Sequence, residues 1–236
     1  MKKSINVYWT TDLDRMAAAA NQKSPQPVTL SEWEEEPFMY CPSLRDYCKN
    51  VFSVNSRIDF NPLIYSPNQE FFLKEEEEEF GCYYPEKYPG SGKIRNTYSM
   101  EYLLYLVTDE PSLDIEITQP FLSNTSFSNS CEIIPGAFNL GKYSRSISLS
   151  FQVRSLNATE IKIKEGDALY YIRFKTDKKI NFIPFYPEKE IMDVFNNMNN
   201  SSKLKSGSLL KHYENYKRFN TKKVLLDKIR GQLNEG

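Results

Sequence analysis

Ser146 to Val153 reads Ser-Ile-Ser-Leu-Ser-Phe-Gln-Val, eight residues of unbroken polar and apolar alternation. Side chains point to opposite faces at successive positions only in an extended chain, so this period predicts a strand with one buried face. The pattern recurs around it. Leu113-Asp114-Ile115-Glu116-Ile117 and Glu160-Ile161-Lys162-Ile163-Lys164 alternate, and Leu169 to Phe174 and Ile180 to Ile183 are further strand-like runs. Tyr102-Leu103-Leu104-Tyr105-Leu106-Val107 is apolar without interruption, as expected of a strand covered on both faces. Turn signals such as Glu165-Gly166-Asp167 separate the runs, and no helical crossover pattern lies between them. The expectation is a mainly β, α+β chain: an antiparallel β-sandwich of jelly-roll type, with a parallel nucleotide-binding sheet disfavoured.

The flanks are less regular. Ile5 to Trp9 predicts a short strand, Asp12 to Ala20 a helical turn or two, and Pro42 to Val51 a short helix opened by Pro-Ser. Phe52-Ser53-Val54 and Ile58-Asp59-Phe60 have period two, and together these elements form a small α-containing amino-terminal layer. After Pro187 the period changes. Glu188 to Asn200 aligns Ile191, Val194, Phe195 and Met198 on one helical stripe, and Asn196 to Ser208 is polar enough for a hinge. Leu209 to Leu233 resumes helical spacing with a break near Phe219-Asn220-Thr221. The domain reading is therefore 1–187 for the sandwich and 188–236 for a helical extension.

A chain of 236 residues with 16 tyrosines, 15 phenylalanines and 2 tryptophans has ample material for a core. Its net charge of −1 gives no global attraction to nucleic acid or membrane, so such a partner would need a local patch. The extension supplies one, with ten basic and four acidic residues between Lys189 and Arg230. There Lys211, Lys217, Arg218, Lys222 and Lys223 interleave with Tyr213 and Tyr216. This set suits phosphate contacts with base stacking, or else an amphipathic helix that packs on the sandwich or another subunit.

One histidine, His212, restricts chemistry, because hydrolytic triads and catalytic zinc sites commonly need imidazole. It falls in the extension, outside the β-rich segment. Catalysis would then rest on carboxylates, thiols or oxygen-held metal. Asp109, Glu110, Asp114 and Glu116 flank the central strands, Asp114 and Glu116 sharing a face. Cys41 precedes a helix start, where free N–H groups lower a thiol pKa, with Arg45 and Lys49 in reach on the next turns. Arg145 completes the candidate set.

Other signals are weaker. Cys41, Cys48, Cys82 and Cys131 are spaced 7, 34 and 49 residues apart with no Cys-x-x-Cys knuckle, and free thiols are expected. Glu75 to Glu79 lacks the spacing of a cation loop and reads as a solvated face. Gly90-Ser91-Gly92-Lys93 fails as a phosphate loop, since Lys87 stands where the first glycine belongs and Ile94 replaces the magnesium-binding hydroxyl. No cofactor is implied. With neither a secretory leader nor a long apolar run, the expected location is cytoplasmic. Scarce alanine beside abundant Lys, Asn, Ile, Tyr and Phe fits an A/T-rich genome such as a phage's.

Three segments carry a resemblance: Tyr40-Cys41-Pro42-Ser43-Leu44-Arg45-Asp46 with Asn50 and Phe52, then Pro135 to Arg145, then Ile161 to Ile172. Together they resemble an uncharacterised protein family of large contractile-tailed phages, especially those of marine cyanobacteria, over roughly residues 1–185. Ile163 to Leu169 is also similar to the turn and strand that closes the dUTPase and dCTP deaminase fold, but no Ala-Gly-Tyr-Asp-type uridine motif accompanies it. The resemblance to the phage family implies a viral interaction protein in the host cytoplasm or the virion, working through a protein partner or self-association. An enzyme or small-ligand receptor built on the carboxylates and thiol is the alternative, and nucleic-acid association through the extension is a third. No membrane role is expected.

Overall fold

The computed structural model describes residues 4–11, 24–30, 35–57, 59–66, 70–73, 86–87, 97–204 and 208–235. In chain order, β1 (Ile5–Thr11) and β2 (Gln26–Pro27) precede a single 3-10 turn (Pro37–Tyr40) and the helix α1 (Pro42–Tyr47). Then come β3 (Val51–Asn55), β4 (Phe60–Ser66), β5 (Glu70–Leu73), β6 (Glu86–Lys87), β7 (Thr97–Thr108) and β8 (Asp114–Thr118). Helix α2 (Ser126–Ser130) leads to β9 (Cys131–Ile133), β10 (Gly136–Asn139), β11 (Ser146–Val153), β12 (Thr159–Ile163), β13 (Ala168–Phe174) and β14 (Ile180–Pro184). The chain ends its described course in α3 (Lys189–Leu204), α4 (Leu209–Arg218) and α5 (Thr221–Glu235). The fold is mainly β with helices, as the alternation predicts.

Among the described residues the strands form three sheets. The first runs β14-β1-β7-β11-β9 with β6 also on β7, the second β10-β8-β13-β3-β2, and the third β12-β4-β5. Pairing is antiparallel apart from β1 and β14, which run parallel from Ile5 opposite Ile180 to Trp9 opposite Pro184. That pair departs from the all-antiparallel expectation. Its strands lie far apart in sequence, so no tight turn dictates their sense.

Period two explains the layers. In β7, Leu104 and Leu106 point into a core shared with Val7 and Trp9 of β1, Leu149 and Phe151 of β11, and Ile115, Tyr170, Ile172 and Phe174 of the second sheet. Tyr105 and Val107, alternating with them, point the other way, into a second cluster with Tyr8, Tyr143 and Phe185. From Leu104 to Val107 the apolar run is thus read on both faces, and its outer cover is the helical extension: Ile191 and Phe195 from α3, Tyr216 from α4, and Leu225, Leu226 and Ile229 from α5.

Turns follow local chemistry. Gly166, at φ +90, makes the Glu-Gly-Asp turn between β12 and β13. Asn50, at φ 55, holds the left-handed bend after α1 while its amide donates to the carbonyls of Thr176 (2.6 Å) and Lys178 (2.9 Å). The expected hinge starts too early, because α3 stays helical through Asn199 and Asn200 to Leu204. The Asp12–Ala20 helix, Ile58, the glutamate run and nearly all of the Gly81–Asn96 loop lie outside the described residues, as does Lys205.

Candidate functional site

The extension docks through two tyrosines, Tyr216 buried and Tyr213 half-buried, whose hydroxyls are tied to the sheet side. Ser208 caps α4, its hydroxyl accepting from the Lys211 N–H, and the helix then points Tyr213 and Tyr216 inward. Tyr216 is buried and its hydroxyl shares a 2.7 Å hydrogen bond with the Ser144 hydroxyl. Burial pushes its phenol up to about 12, the bond to Ser144 opposing. Tyr213 accepts the Asn139 backbone N–H at 2.7 Å. Tyr143 stands between them, edge-on to Tyr216 at 6.0 Å and stacked on His212 at 5.4 Å. The sole histidine, expected apart from the β-rich segment, therefore lies against it.

Asn139 organises the sheet side of this seam. Its side-chain carbonyl accepts from the Leu113 and Lys142 N–H groups, and its amide donates to the Ser112 hydroxyl (2.9 Å) and the Asp114 carboxylate (2.8 Å). A buried amide satisfied on every side fixes one geometry for the loop that follows. Gly141 in that loop passes so close to Glu110–Ser112 that a Cβ would sit 2.6 Å from the Glu110 carbonyl oxygen and 2.7 Å from Pro111 C and Ser112 N. Across the seam, Lys222 donates to the carbonyls of Glu110 (2.5 Å) and Gly141 (3.2 Å). Burial lowers the Lys222 pKa, against the raising pull of Asp109 and Glu110.

The rest of this boundary forms an open cleft of about 480 Å³, lined by Pro111, Gly141 and Lys142 on one side and Tyr213, Glu214, Tyr216, Lys217, Asn220 and Lys222 on the other. Four residues expected to bind, Tyr213, Tyr216, Lys217 and Lys222, thus come together. Lys211, Lys217, Arg218 and Lys223 are exposed, with the Arg218 guanidinium 5.7 Å from the ring centre of exposed Phe219. Tyr213 and Tyr216 face the sheet, so the predicted alternation of lysine grip and tyrosine stacking on a nucleic acid is not formed by these two rings.

The candidate catalytic groups are dispersed. Asp109 pairs with Arg230 (3.0 Å) and Glu110 with Lys178 (2.9 Å). Glu116 faces Arg173 (3.6 Å) and Lys175 (3.4 Å), and Asp114 accepts from Asn139. Arg145 donates to the Ser146 carbonyl and lines a groove of about 360 Å³ with Phe138, Leu149 and Leu209. Cys41 is not in that groove; it lies exposed at the start of α1. Backbone N–H groups of Leu44 and Ser43 lower its thiol pKa. The expected cationic help is engaged elsewhere, since Arg45 donates to the Met39 carbonyl (2.8 Å) and Lys49 pairs with Asp46 (2.5 Å).

Sequence reasoning missed Asn139, Gly141, Tyr143 and Ser144 as parts of the seam. Their one signal was membership of the Pro135–Arg145 segment. Among the described residues no three His, Cys, Asp or Glu side chains are grouped to hold a metal ion, and no helix is long and apolar enough to cross a membrane. Comparison with family models, with curated proteins and with solved structures finds no match.

Proposed function

We propose that this is a phage-encoded, non-enzymatic interaction protein, a virion or assembly component or a host-directed factor. In this reading residues 1–187 are a β-sandwich of jelly-roll type and 188–236 a basic helical extension folded back on it. The dispersion of the candidate catalytic groups carries the reading. A reaction centre needs its acid, base or nucleophile around one reacting atom, roughly 3 Å from each. Here Asp109, Glu110 and Glu116 are engaged in separate ion pairs, and Cys41 and Arg145 line no common groove. The outward side of the extension, with Leu210 at 64% and Phe219 at 68% exposure beside Lys211 and Arg218, supports contact with another macromolecule.

The test is purification of the full chain from infected cells, followed by light scattering on a sizing column and mass spectrometry of purified virions. A stoichiometric complex, a self-associated form or incorporation into particles is expected. A monomer with no stoichiometric partner in either preparation would overturn the reading. The exposed lysines around Arg218 and Phe219 favour nucleic acid as a second reading. Its mark would be an affinity for single strands that falls steeply as salt rises.

A further inference from the structure

The cleft at the seam has a chemistry of its own, separate from the outward surface just described. We infer that it binds a small amphipathic anion: one phosphate or carboxylate on a ring-sized apolar body. Three lysines, Lys142, Lys217 and Lys222, line it against one carboxylate, Glu214. Asp109 and Glu110 also act on Lys222, but each is shared with a cation that does not line the cleft, Arg230 and Lys178, so the lysines keep the excess. The Lys222 ammonium gives two of its protons to backbone carbonyls and keeps a third for a ligand. Tyr213 accepts the Asn139 N–H through its phenol oxygen, so its own proton is available to donate.

These donors stand beside apolar walls, namely Pro111 and the rings of Tyr213 and Tyr216. A volume of about 480 Å³ falls within the few hundred cubic ångströms usual for small-ligand sites, too small for a folded partner and too large for a lone phosphate. A bare inorganic anion would leave the walls uncovered, and a neutral ring would leave the lysines uncompensated. The ligand that satisfies both carries the two parts together.

The test is calorimetric titration of the full chain with three ring-bearing anions, adenosine 5′-monophosphate, phenyl phosphate and indole-3-carboxylate. Their neutral counterparts, adenosine, phenol and indole, and inorganic phosphate are titrated alongside. At least one anion is expected to bind saturably at one site, at least tenfold tighter than its neutral counterpart and than inorganic phosphate. The double variant Lys142→Gln/Lys217→Gln changes two exposed side chains. It should lose at least tenfold in that affinity with an unchanged unfolding midpoint. No saturable binding by any anion, equal binding by the neutral partner, or full affinity in the double variant would overturn the inference. None of these outcomes depends on whether a protein partner is found.

Discussion

The interior between the sheets and the seam beneath the helices share strand β7, yet they are held together by different means. Inside, shape does the work: Phe52, Phe174 and Phe182 meet edge to face at 5.0–5.8 Å, and Tyr98, Phe127 and Phe151 form a second aromatic group. At the seam, aromatic rings still fill the space, but directed polar bonds also hold it, Tyr216 to Ser144, Tyr213 to Asn139, Lys222 to two carbonyls and Arg230 to Asp109. Apolar packing tolerates small shifts in register of contact. Hydrogen bonds from a few tips do not, so the seam is the more specific of the two and the easier to open by changing single groups.

Four substitutions would break or sharpen that contrast. Phe151→Ala removes a fully buried ring from the interior, and a loss of about 3–5 kcal/mol is expected in urea unfolding. Cys131, buried in the same core, should then become open to alkylation, whereas in the parent protein it stays protected and exposed Cys41 reacts. Gly141→Ala forces a Cβ into three backbone atoms at the seam, for a loss of about 1–3 kcal/mol, with the extension cut by protease before the sheets unfold.

Tyr216→Phe should cost about 1 kcal/mol at neutral pH through the Ser144 bond. The same variant should remove a pH dependence. Below pH 10.0 the phenol is protonated in folded and unfolded chains alike. Above it the unfolded chain loses the proton first, so the parent's stability falls as pH rises from 10.0 towards about 12, a decline followed by thermal melting. Smallest is Asp109→Asn. The Arg230 pair is partly exposed, so a change under about 1 kcal/mol is expected, and a larger one would mean that ion pairing dominates the seam.

The same contrast governs what the sequence disclosed. β11 has the bounds its alternation predicts, and the break near Phe219-Asn220-Thr221 falls between α4 and α5, where Asn220 takes φ 53. Both are regular elements whose side-chain period is set by a neighbouring surface. β9 and β10 escaped notice because three or four residues are too few to show a period, and α2 because Ser126–Ser130 is a single turn held by a Thr125–Ser128 capping box. The extension's residues that line the cleft, Tyr213, Tyr216, Lys217 and Lys222, were legible as part of a basic, tyrosine-rich helical stretch. Their partners were not, since Asn139 ends the four-residue β10 and Gly141 and Ser144 lie in the loop after it, where bonds replace periodicity. The dispersal of the carboxylates was equally hidden, because proximity in sequence to a central strand says nothing about which cation lies opposite.

The parallel pair of β1 and β14 has a consequence for biosynthesis. The side chains of Asn6 and Asn181, 175 positions apart, meet at 3.2 Å, so the first strand cannot gain this neighbour until about 175 further residues have been made. At about 5–20 residues per second that interval is roughly ten to forty seconds, during which one edge of β1 stands open. The helices begin five residues after β14 ends and cover the face of β1 that carries Tyr8. Edge closure and helical cover therefore arrive almost together, and a nascent chain stalled before residue 180 would present an unpaired strand to any chaperone or aggregating neighbour.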